Sequence, residues 1–253
     1  MCLAVVALDA HPRFAFVVAA NRDEYHARPT AAATWWPEGL VAGRDLAAGG
    51  TWLGATRNGR VALLTNVRNP ARHDPSAPSR GSLVPQVLLD ARPLADAVES
   101  VRIDGRNHNG FNLIAGDTRE MFWISNRSER ARALAAGVYG VSNALLDEPW
   151  PKVERVKAAL RAWMSEDCDD LERLFDALAD RSIASDETLP STGVSLEWER
   201  MLSAPFIVEE RYGTRSSSVV TIGRSGNVRF VERSFDAKGA IVGETEQRFS
   251  VDR

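Results

Sequence analysis

The chain has 253 residues, 44% of them hydrophobic and 26% charged, which is enough to bury a sizeable core in a layered domain. Its formal net charge of −3 gives no ground for nucleic acid or an anionic membrane as the main partner. No apolar run reaches the roughly 18 residues of a membrane span, so no integral membrane segment is expected.

Two apolar runs open the chain, residues 2–8 and 14–20, with a turn segment between them. They are apolar at successive positions, as in strands covered on both faces. Residues 51–57 and 60–66 flank Asn58-Gly59, which predicts a hairpin with a tight two-residue turn. Residues 68–80 are proline-rich and polar and read as a loop. Ser82 is expected to cap a helix through Leu83, Val87 and Leu88, and a second helix starts after Pro93. Residues 111–115 and 121–125 read as a strand pair, and 138–142 as a short strand. Residues 150–164 show helical spacing at Val153, Val156, Leu160 and Met164, and 171–178 are also helical. Strands return at 217–222 and 228–235, around a Ser225-Gly226-Asn227 turn, and at 247–251. Strands, then helices, then strands again predict a layered α+β domain. With no repeat and no linker, residues 1–253 read as one domain.

The chemistry concentrates at the N-terminus. Cys2 directly follows the initiator Met, and removal of Met1 would leave it with both a thiol and a free α-amine. An α-amine has an ordinary pKa of about 7.7–8.0. It can take the thiol proton and return it to a leaving group, so one residue supplies both nucleophile and base. The alternative for Cys2 is a small residue that merely starts a strand. Asn21-Arg22-Asp23-Glu24 ends the second apolar run. If that strand continues, Asn21 and Asp23 share one face, and the hairpin brings them near Cys2. A carboxylate there can hold the α-ammonium, and an arginine nearby favours the thiolate.

The other candidates carry less. Cys168 sits in the acidic segment SEDCDD, which disfavours a thiolate, so it reads as inert. Two cysteines make no disulfide framework. No basic region precedes the first apolar run, so no signal peptide is expected, and a cytoplasmic, reducing location follows. His11, His26, His73 and His108 show no metal-ligand spacing and read as surface residues. Neither a metal nor a cofactor is expected. Gly49-Gly50 lacks the lysine of a phosphate loop. Trp35, Trp36 and Trp52 read as packing residues or as the rim of a pocket.

The tetrad Asn21-Arg22-Asp23-Glu24 behind a cysteine at position 2 resembles the NRDE family, the transport and Golgi organisation protein 2 group. So do Arg28-Pro29, GGTWLG at 49–54, LLTNVRNP at 63–70, SNALLDEPWPKV at 142–153 and GTRSSSVV at 213–220. This ordered set spans essentially the whole chain. The resemblance implies an N-terminal-nucleophile hydrolase fold, a four-layer αββα sandwich. It also implies kinship with the choloylglycine hydrolase and penicillin V acylase group, which cleaves amides through an acyl-enzyme on an N-terminal cysteine. Carried over, Cys2 matches the nucleophile, Asp23 the aspartate on the free amine, Asn143 the oxyanion asparagine and Arg215 the late active-site arginine. Asn21 and Asn66 are carried over as substrate-binding positions. A turn role is the alternative for Asn143, and a pairing with Glu209 or Glu210 is the alternative for Arg215. One departure stands out: Ala20 occupies the place of an arginine in those hydrolases. Arg22 is the candidate replacement and is counted with the catalytic positions, although strand alternation is expected to point it to the opposite face.

Two functions follow. One is an amidohydrolase or acyl transferase acting on a small molecule through Cys2. The other, implied by eukaryotic relatives linked to haem mobilisation and lipid metabolism, is binding and trafficking of a hydrophobic cargo such as haem or an acyl-CoA. For haem, His26 and Cys2 are the candidate axial ligands near the predicted site.

Overall fold

A computed structural model describes residues 2–166 and 169–252. Strands β1 (Cys2–Leu8), β2 (Phe14–Tyr25), β3 (Thr30–Trp35), β4 (Leu40–Asp45), β5 (Leu53–Thr56) and β6 (Val61–Asn66) come first. Helices α1 (Leu83–Leu89) and α2 (Leu94–Asp104) follow, then β7 (Phe111–Gly116), β8 (Met121–Ser125), β9 (Arg132–Ala133) and β10 (Gly137–Val141). Helices α3 (Pro151–Ser165), α4 (Glu172–Leu178) and α5 (Leu196–Leu202) lead into β11 (Tyr212–Gly223), β12 (Asn227–Phe235) and β13 (Ile241–Ser250). One antiparallel sheet runs β10-β1-β2-β11-β12-β13 and the other β3-β4-β5-β6-β7-β8-β9. Residue 168 and the terminal Met1, both singled out in the sequence, lie outside the described residues.

The doubly covered strands expected at the start of the chain sort their side chains by parity. Ala4, Val6, Leu8, Phe16, Val18 and Ala20 point into the space between the sheets, against Val41, Leu53, Leu63 and Trp123. Leu3, Val5, Ala7, Val17 and Ala19 point the other way, onto Val153, Val156, Leu160 and Trp163 of α3 and Leu174, Phe175 and Leu178 of α4. On the far side, α1 and α2 bury Leu83, Val84, Val87, Val98 and Val101 against the second sheet. The layers are therefore αββα, with one apolar core between the sheets and one beneath each helical layer.

Several local expectations are corrected. The second strand does not stop at residue 20. It runs on through the polar tetrad because β11 supplies hydrogen-bonding partners there, pairing Asn21 with Ser217 and Asp23 with Thr214. The β3–β4 hairpin was not legible, since β3 is an alanine-rich, half-exposed edge strand without a clear period. The turn at Asn58-Gly59 spans three residues: Thr56 N–H reaches the Arg60 carbonyl at 2.9 Å, and Gly59 takes the left-handed conformation at φ 85°. Ser82 does not cap α1 with its side chain. Its hydroxyl donates to the Ser79 carbonyl, and Ser79 caps the short 3-10 turn ahead of the helix. His11 is buried, accepting from the Arg13 main chain and stacked on Trp163.

One carboxyl ties the two sheets together. Glu232 of β12 accepts from the Ala33 main-chain N–H of β3 at 2.8 Å and from Ser218 Oγ of β11 at 3.1 Å. Burial pushes its pKa up to about 7 from an ordinary 4.5. The native state thus holds a proton that the unfolded chain has released, and stability is lost as the pH rises from about 4.5 through 7. At most about 3 kcal/mol is at stake. Glu232→Gln is expected to shrink the difference between urea midpoints at pH 5 and pH 8. An undiminished difference would remove Glu232 as its source.

Candidate active site

The β1–β2 ladder places Cys2 directly opposite Arg22, with Leu3 opposite Asn21. Cys2 and Arg22 therefore share the face that looks between the sheets, while Asn21 and Asp23 share the face beneath α3 and α4. Ala20, Arg22 and Cys2 stand on one side, so the expectation that Arg22 turns away from the place of the missing arginine is overturned. Positions two apart on a strand point alike. The Arg22 guanidinium sits 4.3 Å over the Trp52 ring, donates to Thr30 Oγ1 at 3.1 Å and lies 3.9 Å from Glu24 and 4.0 Å from Asp45. Stacking and the two carboxylates fix the arginine beside the cysteine.

Cys2 opens into a cavity of about 430 Å³. Arg22, Asp23, Glu24, Arg28, Asp45 and Asn66 border it on one side, and the loop from His73 to Gly81 on the other. A larger hollow of about 680 Å³ lies at the opposite end of β2, around Arg13 and Arg248 and away from Cys2. The cavity loop is pinned to its base: Asn109 accepts from Asp74 N–H at 2.9 Å and donates to the Asp74 carbonyl at 2.7 Å. At the rim, main chain meets main chain. Thr51 N–H donates to the Gly81 carbonyl at 3.0 Å, and a Cβ on Gly50 would come within 2.3 Å of the Gly81 carbonyl carbon.

Burial raises the Cys2 thiol pKa and the Asp23 charge adds to this, while Arg22 and the Asp23 main-chain N–H act to lower it. Asp23 is itself buried and accepts from Thr214 Oγ1 at 2.7 Å. Burial pushes its carboxyl up, and Lys152 is the strongest influence pulling it down. Sequence reasoning passed over Lys152, which lies fully buried in the first turn of α3. Its signal was present as a lysine at an apolar helical position, next to Val153. Arg80, also missed, borders the cavity and donates to the Gly110 carbonyl at 3.0 Å.

The remaining candidates divide. Asn66 reaches the cavity wall. Asn143 stands one step behind it, its Nδ2 donating to the Asn66 carbonyl at 2.9 Å, while Ser142 Oγ donates to the Cys2 carbonyl at 2.9 Å. Asn21 is not on the cavity. Its amide donates to the carbonyls of Leu178 and Pro205 and accepts from Ser217 Oγ, which anchors α4 and the chain after α5 to β2. Arg215 is not on the cavity either. It sits at a bulge in β11, and Nη1 donates to the carbonyls of Tyr25, His26 and Arg28 at 3.1 Å each. It therefore braces the loop after the tetrad and forms no ion pair with Glu209 or Glu210. His26 faces the Glu209 carbonyl at 3.0 Å, away from the cavity, and His73 borders the cavity in its place. Among the described residues no cluster of His, Cys, Asp and Glu could hold a metal.

Two antiparallel sheets sandwiched between helices, with a cysteine at the start of a central strand, define the N-terminal-nucleophile hydrolase fold. A solved C2A mutant of a conjugated bile acid hydrolase from Clostridium perfringens superposes with a TM-score of 0.57 at 9% identity, covering 99% of this chain and 92% of the other. A Caenorhabditis elegans N-acylethanolamine-hydrolyzing acid amidase ortholog gives 0.50 at 12% identity over 86% and 92%. Within that class the chain belongs to the Transport and Golgi organisation 2 family, which it matches over residues 1–237. The Bos taurus Transport and Golgi organization protein 2 homolog is 35% identical over 92% of this chain and 93% of its own length. The Homo sapiens homolog is 32% identical over 97% of each.

Arg22→Met removes the cation paired with Cys2 and is expected to slow iodoacetamide alkylation of Cys2 at pH 7 by about 3- to 10-fold. Arg215→Ala should leave that rate alone and lower the unfolding free energy in urea by about 1–3 kcal/mol, since three carbonyls lose their donor. Equal alkylation rates in wild type and R22M would put the guanidinium out of electrostatic reach of the sulfur.

Proposed function

We propose that this protein is an N-terminal cysteine hydrolase or acyl transferase acting on an amide or thioester of a small polar molecule. The observation that carries the reading is a partly open cysteine at position 2, opposite Arg22 and facing a charged cavity, with a buried aspartate at the adjoining position of β2. After Met1 removal the Cys2 sulfur attacks the carbonyl carbon, and its own α-amine takes the thiol proton. Asp23 orients that amine. The tetrahedral intermediate collapses, the C–N or C–S bond breaks, and the amine proton passes to the leaving group. Water then hydrolyses the acyl-enzyme. Asn66, held through its carbonyl by Asn143, is the side-chain amide this wall offers to the oxyanion.

Two things support the reading beyond geometry. The fold neighbours are named as a hydrolase of conjugated bile acids and an amidase, and the first was solved with its own Cys2 replaced. The cavity wall also bears on the choice between substrate and cargo. Trp52, Leu64, Pro75, Ala77 and Pro78 give it apolar surface, but Arg22, Glu24, Arg28, Asp45, Asp74 and Arg80 crowd it with charge. Desolvating those groups against a lipid chain or porphyrin face is costly, so a polar acyl donor fits better than haem or a long-chain acyl group. For haem the cavity would offer Cys2 and His73 as axial ligands.

Intact mass of the purified protein is expected to show loss of Met1. A thiol-directed acyl probe at pH 7.5 should label wild type and leave Cys2→Ala unlabelled. Retention of Met1 in protein isolated from its own cells would end the α-amine mechanism. An unlabelled processed protein that is saturated by haem titration would replace it with the carrier reading.

A further inference from the structure

Lys152 is 1% exposed, and among the described residues its Nζ has no hydrogen-bond partner. A buried ammonium left unsatisfied costs several kcal/mol, so its retention calls for a reason. The chain beside it is densely built. Lys152 borders a small void shared with Arg68, Trp150, Glu199 and Ser203. Arg68 donates to Glu199 at 2.5 Å and stacks over Trp150, and Glu199 also accepts from Thr192 N–H and Oγ1. Asp23 lies on the same helix-facing side of β2, and Tyr212 is buried nearby on β11.

The ionisable groups that act on this pocket come from every packed element. Asp23, Arg22 and Glu24 belong to β2, Lys152 to α3, Arg68 to the segment after β6, Glu199 to α5, Tyr212 to β11 and Cys2 to β1. Arg68 and Glu199 neutralise each other, and Arg22 is matched by Glu24 on the cavity side, which leaves Lys152 to balance Asp23. The cluster is already neutral without the α-amine of processed Cys2. A proton on that amine would add an uncompensated charge in a medium where charges interact strongly.

We infer that Lys152 is a positioning residue for the reaction proposed above: its ammonium keeps Asp23 ionised and opposes a second positive charge on the α-amine of processed Cys2, so that the amine stands as a free base at neutral pH. The inference rests on the N-terminal-cysteine reading and concerns how that base is prepared. Two directions agree with it. Lys152 is the leading influence holding Asp23 toward its carboxylate form, and Lys152 itself is lowered by burial to about 8, so it still carries its charge at pH 7. Above pH 8 the ammonium is lost and its repulsion fades.

The test uses protein released from a fusion so that Cys2 is the terminal residue, labelled with [13C]cysteine. The sequence holds only two cysteines, so the Cys2 Cα and Cβ signals can be assigned and titrated from pH 5.5 to 9.5. In wild type the α-amine midpoint should fall below the ordinary range of about 7.7–8.0. Lys152→Met should raise it by about one unit, with a roughly tenfold fall in the free-base fraction at pH 6.5, and Lys152→Arg should hold it near the wild-type value. A folded K152M with an unmoved midpoint overturns the inference, as does an equal shift in both variants. If K152M does not fold, a wild-type midpoint at or above the ordinary range overturns it alone. Acyl-probe labelling on the same samples separates the two readings. A low, lysine-dependent midpoint without labelling sinks the hydrolase and keeps the lysine role. Labelling with a lysine-independent midpoint does the reverse.

Discussion

The molecule turns on the pairing of Cys2 with Arg22 between β1 and β2. That register decides which side chains meet the gap between the sheets and which meet the helices, because a shift by one residue would exchange the two sets. It is held from both flanks. β10 pairs β1 from Ala4 to Leu8, and β11 pairs β2 along its length. As a result a strand end that would otherwise fray lies inside a six-stranded sheet, and four polar residues can be carried there in a fixed arrangement.

Two environments, back to back on the same strands, follow from that parity. On the inter-sheet side, Arg22 stacks on Trp52 and faces carboxylates of β2 and β4 around a solvent-connected cavity. On the helical side, Asn21 and Asp23 enter a buried network of main-chain carbonyls and hydroxyls, with Lys152 acting on Asp23 through its charge alone. The sulfur belongs to the first and the Asp23 carboxylate to the second. The two adjoin at the start of the chain, where Asp23 also borders the cavity.

Much of this was legible in the sequence, for reasons particular to each element. Continuous apolar runs identified β1 and the first half of β2, and 3.6-residue spacing identified α3. The ordered motifs identified the fold. What escaped was what depends on partners. The tetrad continues the strand only conditionally until β11 is placed beside it, and β3 is an edge strand with little apolar content to betray it. Asn21 and Arg215 carry no mark that separates a structural hydrogen-bonder from a site residue. Only the three carbonyls around Arg215 and the two around Asn21 reveal what they do. Lys152 escaped because a lysine in a helix is by default taken for a solvated one.

The contact between Gly50 and Gly81 fixes one edge of the cavity. Where two backbones touch with no side chain between them, the distance is a fixed dimension and no rotamer can widen it. That edge acts as a rigid jamb. Further back in the same loop the hold is a side chain instead: Asn109 ties Asp74 by two hydrogen bonds, which exchange of that single amide would release without touching the glycine contact.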